Sequence, residues 1–221
     1  MNSILTVQNL HFRYAADNKW LFQDFNLDCK QGEITLLKGE SGSGKTTLLY
    51  LLCGIIPKMI DGEMQGKILF EEHSLKELTL PQIAPKISLM MQMPDVQLFF
   101  PTVEMELAFA PENLCLPRSE TQKRIEKVCR QFEISHLLQQ DTATLSFGQK
   151  KMVTFGALLT LSPQIFLLDE PTAGLSEHNS ERIKSVLTEL KQAEKTIIIA
   201  EHSAHLDDLA DKIVELQHVQ T

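Results

Sequence analysis

The stretch GESGSGKT, residues 39 to 46, constrains this 221-residue chain more than any other. It follows EITLLKG (33 to 39), which reads as a buried strand, and opens KTTLLYLLCGII, which reads as a helix from Lys45 that stops before Pro57. In that setting the pattern G-x-x-x-x-G-K-[ST] has a mechanical meaning. Glycines let successive backbone N–H groups converge on phosphate oxygens, and the helix N-terminus adds partial positive charge. Lys45 adds a full charge, and the Thr46 hydroxyl can ligate Mg²⁺. The candidate phosphate-binding residues are therefore Gly39, Glu40, Ser41, Gly42, Ser43, Gly44, Lys45, Thr46 and Thr47. A glycine-rich turn before a helix is the plainer alternative, and the position directly after a strand argues against it.

Two further strand ends supply partners. IFLLDE is an apolar strand closing on Asp169 and Glu170, which places two carboxylates at the carboxyl edge of a sheet, where the phosphate loop also emerges. Asp169 suits Mg²⁺ or its water, and Glu170 suits a base for an attacking water. TIIIAEHS repeats the geometry and brings His202 to the same edge, where an imidazole can hydrogen-bond a γ-phosphate. Taken singly, each is an ordinary strand end with solvated side chains; beside the loop, hydrolysis is the stronger reading.

Around these motifs the chain alternates β-rich and helical stretches. ILTVQNLHFRY and LFQDFNLDC predict an N-terminal antiparallel layer, and the buried runs predict a mostly parallel sheet covered by helices. From about 92 to 161 strand signals give way to helical ones, as in SETQKRIEKVCRQFEI, where Ser119 and Gln122 form a capping-box pattern. The expected organisation is an α/β core from 1–91 and 162–221, with a helical subdomain of about 92–161 inserted. A formal charge of −8 argues against nucleic acid as a partner. Cys29, Cys53, Cys115 and Cys129 form no C-x-x-C pair, so buried reduced thiols and a reducing cytoplasm are expected. No window reaches the ~18 apolar residues of a membrane span.

In this order the motifs resemble those of the ATP-binding cassette (ABC) ATPases over residues 4 to 216. Tyr14 in HFRY matches the aromatic that stacks on adenine, GESGSGKT the Walker A loop, and Gln92 the Q-loop glutamine that senses Mg²⁺ and γ-phosphate. LSFGQ stands where the signature LSGGQ belongs, IFLLDEP is Walker B, AGLS the D-loop, and His202 the switch histidine. The resemblance implies a P-loop NTPase fold of ABC type, ATP and Mg²⁺ as cofactors, and a dimer with a second ABC ATPase subunit. There the nucleotide lies between Walker A of one subunit and the signature Ser146, Gly148 and Gln149 of the other. The stretch QMPDVQLFFPTVEMELAFAPENLCLP (92 to 117) is similar to the Q-loop region of energy-coupling factor (ECF) transporter ATPases, departing at Met93 and Val96. That implies uptake of a vitamin or transition-metal ion, with a transmembrane coupling protein docking near 92–117, a separate substrate-binding membrane subunit, and a peripheral place on the cytoplasmic face of the membrane. Two rivals stay open: a soluble, non-transport ABC ATPase, and a weakly hydrolysing partner in a heterodimer.

Two positions depart from the family pattern. Phe147 stands for a glycine of the signature, and Ser176 for the usual Asp of the D-loop. Ser146 and Gln149 read as a capping box opening the helix FGQKKMVTFGALLTL, which puts Phe147 at the first helical position with ordinary dihedrals. Phe147 is then expected to fill space at the dimer seam. Ser176 is expected to cap the helix that follows.

Overall fold

In the computed structural model the described residues are 3–217. They run β1 (Ser3–Tyr14), β2 (Phe22–Lys30), β3 (Ile34–Lys38), α1 (Lys45–Leu52), α2 (Ile55–Lys58), β4 (Gly62–Phe70), β5 (His73–Ser74), α3 (Leu80–Ile83) and β6 (Ile87–Met90). Then follow α4 (Val103–Asn113), α5 (Arg118–Phe132), α6 (Phe147–Leu161), β7 (Ile165–Asp169), α7 (Glu177–Gln192), β8 (Thr196–Ala200) and β9 (Lys212–Glu215). They group into two compact units. One reaches to Leu89 and takes in Gln164–Asp169 and the chain from Leu190 onward; the other comprises Met90–Pro163 and Glu170–Glu189. The sequence alone draws these boundaries near 92 and 161; by compactness, Glu170–Glu189 also groups with the helical unit.

The first unit holds two sheets, ordered β2-β1-β4-β5 and β6-β7-β8-β3-β9. In the antiparallel sheet, β1 pairs with β2 and β4, with Phe12 opposite Phe22. Leu5 and Val7 are buried, and so are Leu10 and Phe12, although they differ in parity. Asn9 reconciles them: its φ of 47° and the register shift between Val7 and Leu10 form a bulge that returns the strand's apolar face to the core. In the second sheet β3 pairs in parallel with β8 and β9, and β7 with β8. Every residue of β7 and β8 is buried, as strands covered on both faces require. Asp169 lies opposite Ala200 and Leu37 opposite Ala200, so β3, β7 and β8 end side by side. Asp169 lies at that edge, and the candidate phosphate loop and His202 follow from it.

The second unit is built on α4, α5 and α6, with Val103, Leu107, Val128, Phe132, Val153 and Phe155 in its core. Arg182, in the first half of α7, donates to the Phe132 carbonyl at 2.9 Å. Among the described residues no helix is long and apolar enough to cross a membrane.

Three local expectations change. The helix from Lys45 ends at Leu52, because Gly54 adopts φ 75° and breaks the ladder before Pro57 is reached. Ser119 does not cap: α5 begins at Arg118, after Pro117, so the serine lies inside the first turn. Cys115 is exposed, whereas Cys29, Cys53 and Cys129 are buried and all four are free. Cys115 sits just past α4 with φ 54°, where the chain reverses and leaves the core. Burial pushes the Cys29 and Cys53 thiols up to about 11. A maleimide at neutral pH is therefore expected to label Cys115 first in the native protein, measured by peptide mass; labelling of Cys29 or Cys53 ahead of it would contradict the packing.

Candidate functional site

The phosphate loop connects β3 to α1. Gly39 has φ 144°, and a Cβ there would stand 2.5 Å from the Leu216 carbonyl oxygen and 2.7 Å from Ser43 Oγ, so only glycine fits. Gly44, at φ 95°, is the N-cap of α1 and aims the first turn's N–H groups into the loop. Lys45 is only 6% exposed, and its ammonium curls back to donate to the carbonyls of Gly39 at 2.7 Å and Glu40 at 2.9 Å. Ser43 is buried, and its Oγ finds no hydrogen-bond partner among the described residues. An orphaned hydroxyl at that depth costs free energy unless something else accepts or donates there, and a phosphate oxygen would. Glu40, Ser41 and Gly42 form the exposed rim.

Thr46 Oγ1 donates to Asp169 Oδ2 at 2.7 Å, joining the start of α1 to the end of β7. Asp169 is 3% exposed. Burial, and then the negative charge of Asp169, hold the Tyr50 phenol above its ordinary pKa. One hydroxyl and one carboxylate are few donors for a metal held by protein alone, and among the described residues no group of three or more His, Cys, Asp or Glu could hold one. They match the habit of Mg²⁺, which keeps water and takes its remaining ligands from substrate phosphates. Tyr14, at the end of β1, shares a hydrogen bond of 2.8 Å with Thr47 Oγ1 and packs edge-on against Phe12. Its ring is thereby fixed beside α1. His202 follows β8 and is exposed, and its turn is shaped by a residue absent from the sequence-based candidates. Glu201, 3% exposed, accepts from the backbone N–H groups of His202 at 2.9 Å and Ser203 at 3.2 Å.

The remaining candidates lie in the second unit. Gln92 Nε2 donates to Glu170 Oε2 at 2.8 Å, so the two are brought together. Glu170 itself has φ 48°, a left-handed conformation uncommon outside glycine. Ser146 and Gln149 form the capping box: Gln149 N–H donates to Ser146 Oγ at 3.3 Å and Ser146 N–H to Gln149 Oε1 at 2.9 Å. Phe147 is the first residue of α6, with ordinary helical dihedrals. Its ring packs against its own chain, where a Cβ on Gly174 would meet Phe147 Cε1 at 2.9 Å, and it is left 37% exposed. Ser176 Oγ accepts from Asn179 N–H at 3.4 Å and opens α7.

The Q-loop stretch is apolar at the surface. Phe99, Phe100 and Phe109 cluster with centroids 4.6–5.1 Å apart; Phe99 and Phe109 are exposed, and Met93, Val96 and Met105 are half or more exposed. Phe100, Met105, Phe109, Leu116 and Ile125 line an adjoining groove of about 670 Å³. Glu106, another residue that sequence reasoning missed, is 5% exposed and accepts from the N–H groups of Phe99 at 3.1 Å and Phe100 at 2.9 Å. It fixes the backbone that carries both rings.

Comparison with known proteins agrees with this geometry. A family model described as ABC transporter matches residues 22–173. A protein of Pyrococcus abyssi, provisionally named as an ABC transporter ATP-binding protein, is 35% identical over 214 residues, covering 96% of this chain and 76% of its own. A Bacillus subtilis relative, YkoD, provisionally named as an HMP/thiamine import ATP-binding protein, is 35% identical over 95% of this chain and 37% of its own. The solved structure of cbiO1 from Clostridium perfringens, described as part of the ABC transporter complex cbiONQ, superposes with a TM-score of 0.84 at 31% identity, covering 98% of this chain and 86% of that one. The chain spans about half the length, or less, of several curated relatives that it matches.

Proposed function

The chain belongs to the ATP-binding proteins of ABC transporters, and from that membership we propose that it hydrolyses ATP to energise an importer of ECF type, carrying a vitamin or a transition-metal ion. The observation that carries the hydrolytic part is the loop itself: a glycine cradle that no side chain could enter, a buried Ser43 hydroxyl awaiting a partner, and the Thr46–Asp169 bond of 2.7 Å beside it.

In this reading Thr46 and Asp169 would hold Mg²⁺, which when bound supplies positive charge to the β- and γ-phosphates. Lys45 and the first-turn N–H groups of α1 bind the same oxygens. Tyr14 offers its ring to adenine. Glu170 takes a proton from water as the water oxygen attacks γ-phosphorus and the bond to the ADP oxygen breaks. Gln92, donating to Glu170 Oε2, orients that carboxylate, and His202 hydrogen-bonds the γ-phosphate from a turn that Glu201 fixes. Ser146, Gly148 and Gln149 serve the nucleotide of a second ABC subunit. Gly148 supports this: it has no left-handed φ, and a Cβ there would make only ordinary contacts, 3.5 Å from Leu175 and 3.6 Å from Asn179. Nothing among the described residues crowds that position, and an amide left open there suits a phosphate oxygen of the second subunit's nucleotide.

The transport part rests on the resemblance to cbiO1 and YkoD and on the apolar surface from Met93 to Phe109. Exposed aromatic side chains beside a groove suit the cytoplasmic helix of a membrane protein. The test is to extract the tagged chain from membranes and identify what comes with it. An integral membrane coupling protein and a second ABC subunit are expected; isolation free of any membrane protein would overturn the transport reading.

Phe147 bears on the rival of a weakly hydrolysing partner. Because its ring already packs on Gly174, Phe147→Gly is expected to destabilise the chain by about 1–2 kcal/mol through lost burial and the helix cost of glycine, read by urea denaturation. Turnover in the assembled complex should not rise. A large gain would mean that the ring obstructs closure and that the native protein is a slow subunit.

A further inference from the structure

Lys151 is absent from the roles assigned above, yet it is fully buried. A lysine enters a protein interior at high cost unless its ammonium is hydrogen-bonded there. Here the ammonium donates to two main-chain oxygens, the carbonyl of Glu170 and, at 2.8 Å, that of Ala173. Those carbonyls bracket the turn leaving β7, in which Ala173 N–H also donates to the Glu170 carbonyl at 3.2 Å. The turn needs holding, since Glu170 adopts a φ of 48° that an L-residue avoids without external constraint.

The other end of the same helix turn closes the arrangement. Phe147 and Lys151 are four residues apart on α6 and share a face. The Phe147 ring lies 5.4 Å from the Lys151 ammonium and covers Gly174, whose φ of 74° and close approach leave no room for a side chain. The helix opened by Ser146 thus grips the Glu170 turn at three successive places: the Glu170 and Ala173 carbonyls, and the face of Gly174.

We propose that Lys151 is a positioning residue for Glu170, stapling the turn that sets the direction of its carboxylate to the helix that begins at the signature serine. The inference rests on the reading of Glu170 as the base for hydrolysis. It implies that a displacement of the start of α6 is transmitted to Glu170 through side chains of one chain, because the staple is a charged donor on two carbonyls rather than a soft apolar contact.

The test uses the full chain in the complex extracted from membranes, comparing Lys151→Met, which keeps length and loses the donors, with Lys151→Gln, which keeps two N–H donors. Hydrogen exchange is read over residues 170–176 against β3 and β8, together with kcat and KM for ATP. In Lys151→Met, faster exchange confined to 170–176 is expected, with kcat lowered about tenfold or more and KM within about twofold, and Lys151→Gln should recover most of both. Unchanged exchange at 170–176 would overturn the proposal. So would a general loss of protection across α6 and the sheet, which would make Lys151 a stability residue only. Glu170→Gln serves as the control that separates the two claims: if it retains turnover, the reading of Glu170 fails, while the exchange result still decides whether Lys151 holds the turn.

Discussion

Glu170→Gln is expected to lower the rate of ATP hydrolysis by about 10²- to 10⁴-fold, the range lost when a general base is removed, while nucleotide affinity changes little. The amide replaces the carboxylate almost atom for atom, so the packing of the turn is preserved. Gln92 can still donate to the remaining side-chain oxygen, as it does to Oε2 at 2.8 Å. What disappears is the capacity to accept a proton from water. A binding measurement with ATP alongside steady-state phosphate release separates the two effects. On the proposed roles, with affinity resting on the phosphate loop and turnover on Glu170, the variant should accumulate ATP that it cannot consume. A variant that hydrolyses at the native rate would remove Glu170 from the mechanism.

Lys45→Met is expected to act on the other side of that division. Lys45 is buried and its ammonium is already directed into the loop, where it donates to the Gly39 and Glu40 carbonyls. Losing a charged hydrogen bond to phosphate costs about 2–3 kcal/mol, which is roughly 30- to 150-fold in Kd. Methionine preserves most of the side-chain volume, so the melting temperature should move far less than the affinity. The measurement is a titration with labelled ATP; an affinity within about twofold of native would show that the loop binds without its lysine.

The contrast between these variants follows from what could be read in the chain before its fold. The strand, loop and helix around residues 33 to 52 were legible because local chemistry specifies them: a continuous apolar run, glycines where a side chain would collide, and a lysine and threonine at a helix start. The capping box of Ser146 and Gln149 was legible for the same reason, its two bonds being three residues apart. Ser119 and Gln122 carry the same spacing and do not form one, because Pro117 takes the N-cap position and starts α5 two residues too early for it. Local pattern decides only where a longer-range constraint does not.

Lys151, Glu201 and Glu106 escaped the sequence for a physical reason. Each is a buried charge that hydrogen-bonds main-chain groups, and a main-chain carbonyl or N–H leaves no trace in residue identity. Glu106 reaches seven residues back to Phe99 and Lys151 reaches 22 residues on to Ala173. Nor does composition announce that Glu170 turns left-handed, since glutamate has no preference for that region. The exposure of Cys115 belongs with these: the thiol looks like its three buried counterparts until α4 ends two residues before it. Chemistry carried by side chains was readable, and the main-chain contacts that hold it in place were not.

The most direct measurement of the central claim is a single turnover of ATP by the native protein together with the subunits that co-purify with it. ATP bound in the absence of Mg²⁺ should remain intact, and addition of Mg²⁺ should convert it to ADP and phosphate, as the proposal that Thr46 and Asp169 hold the metal beside the loop requires. A complex that binds no ATP, or that holds ATP unchanged after Mg²⁺ is supplied, would contradict the account.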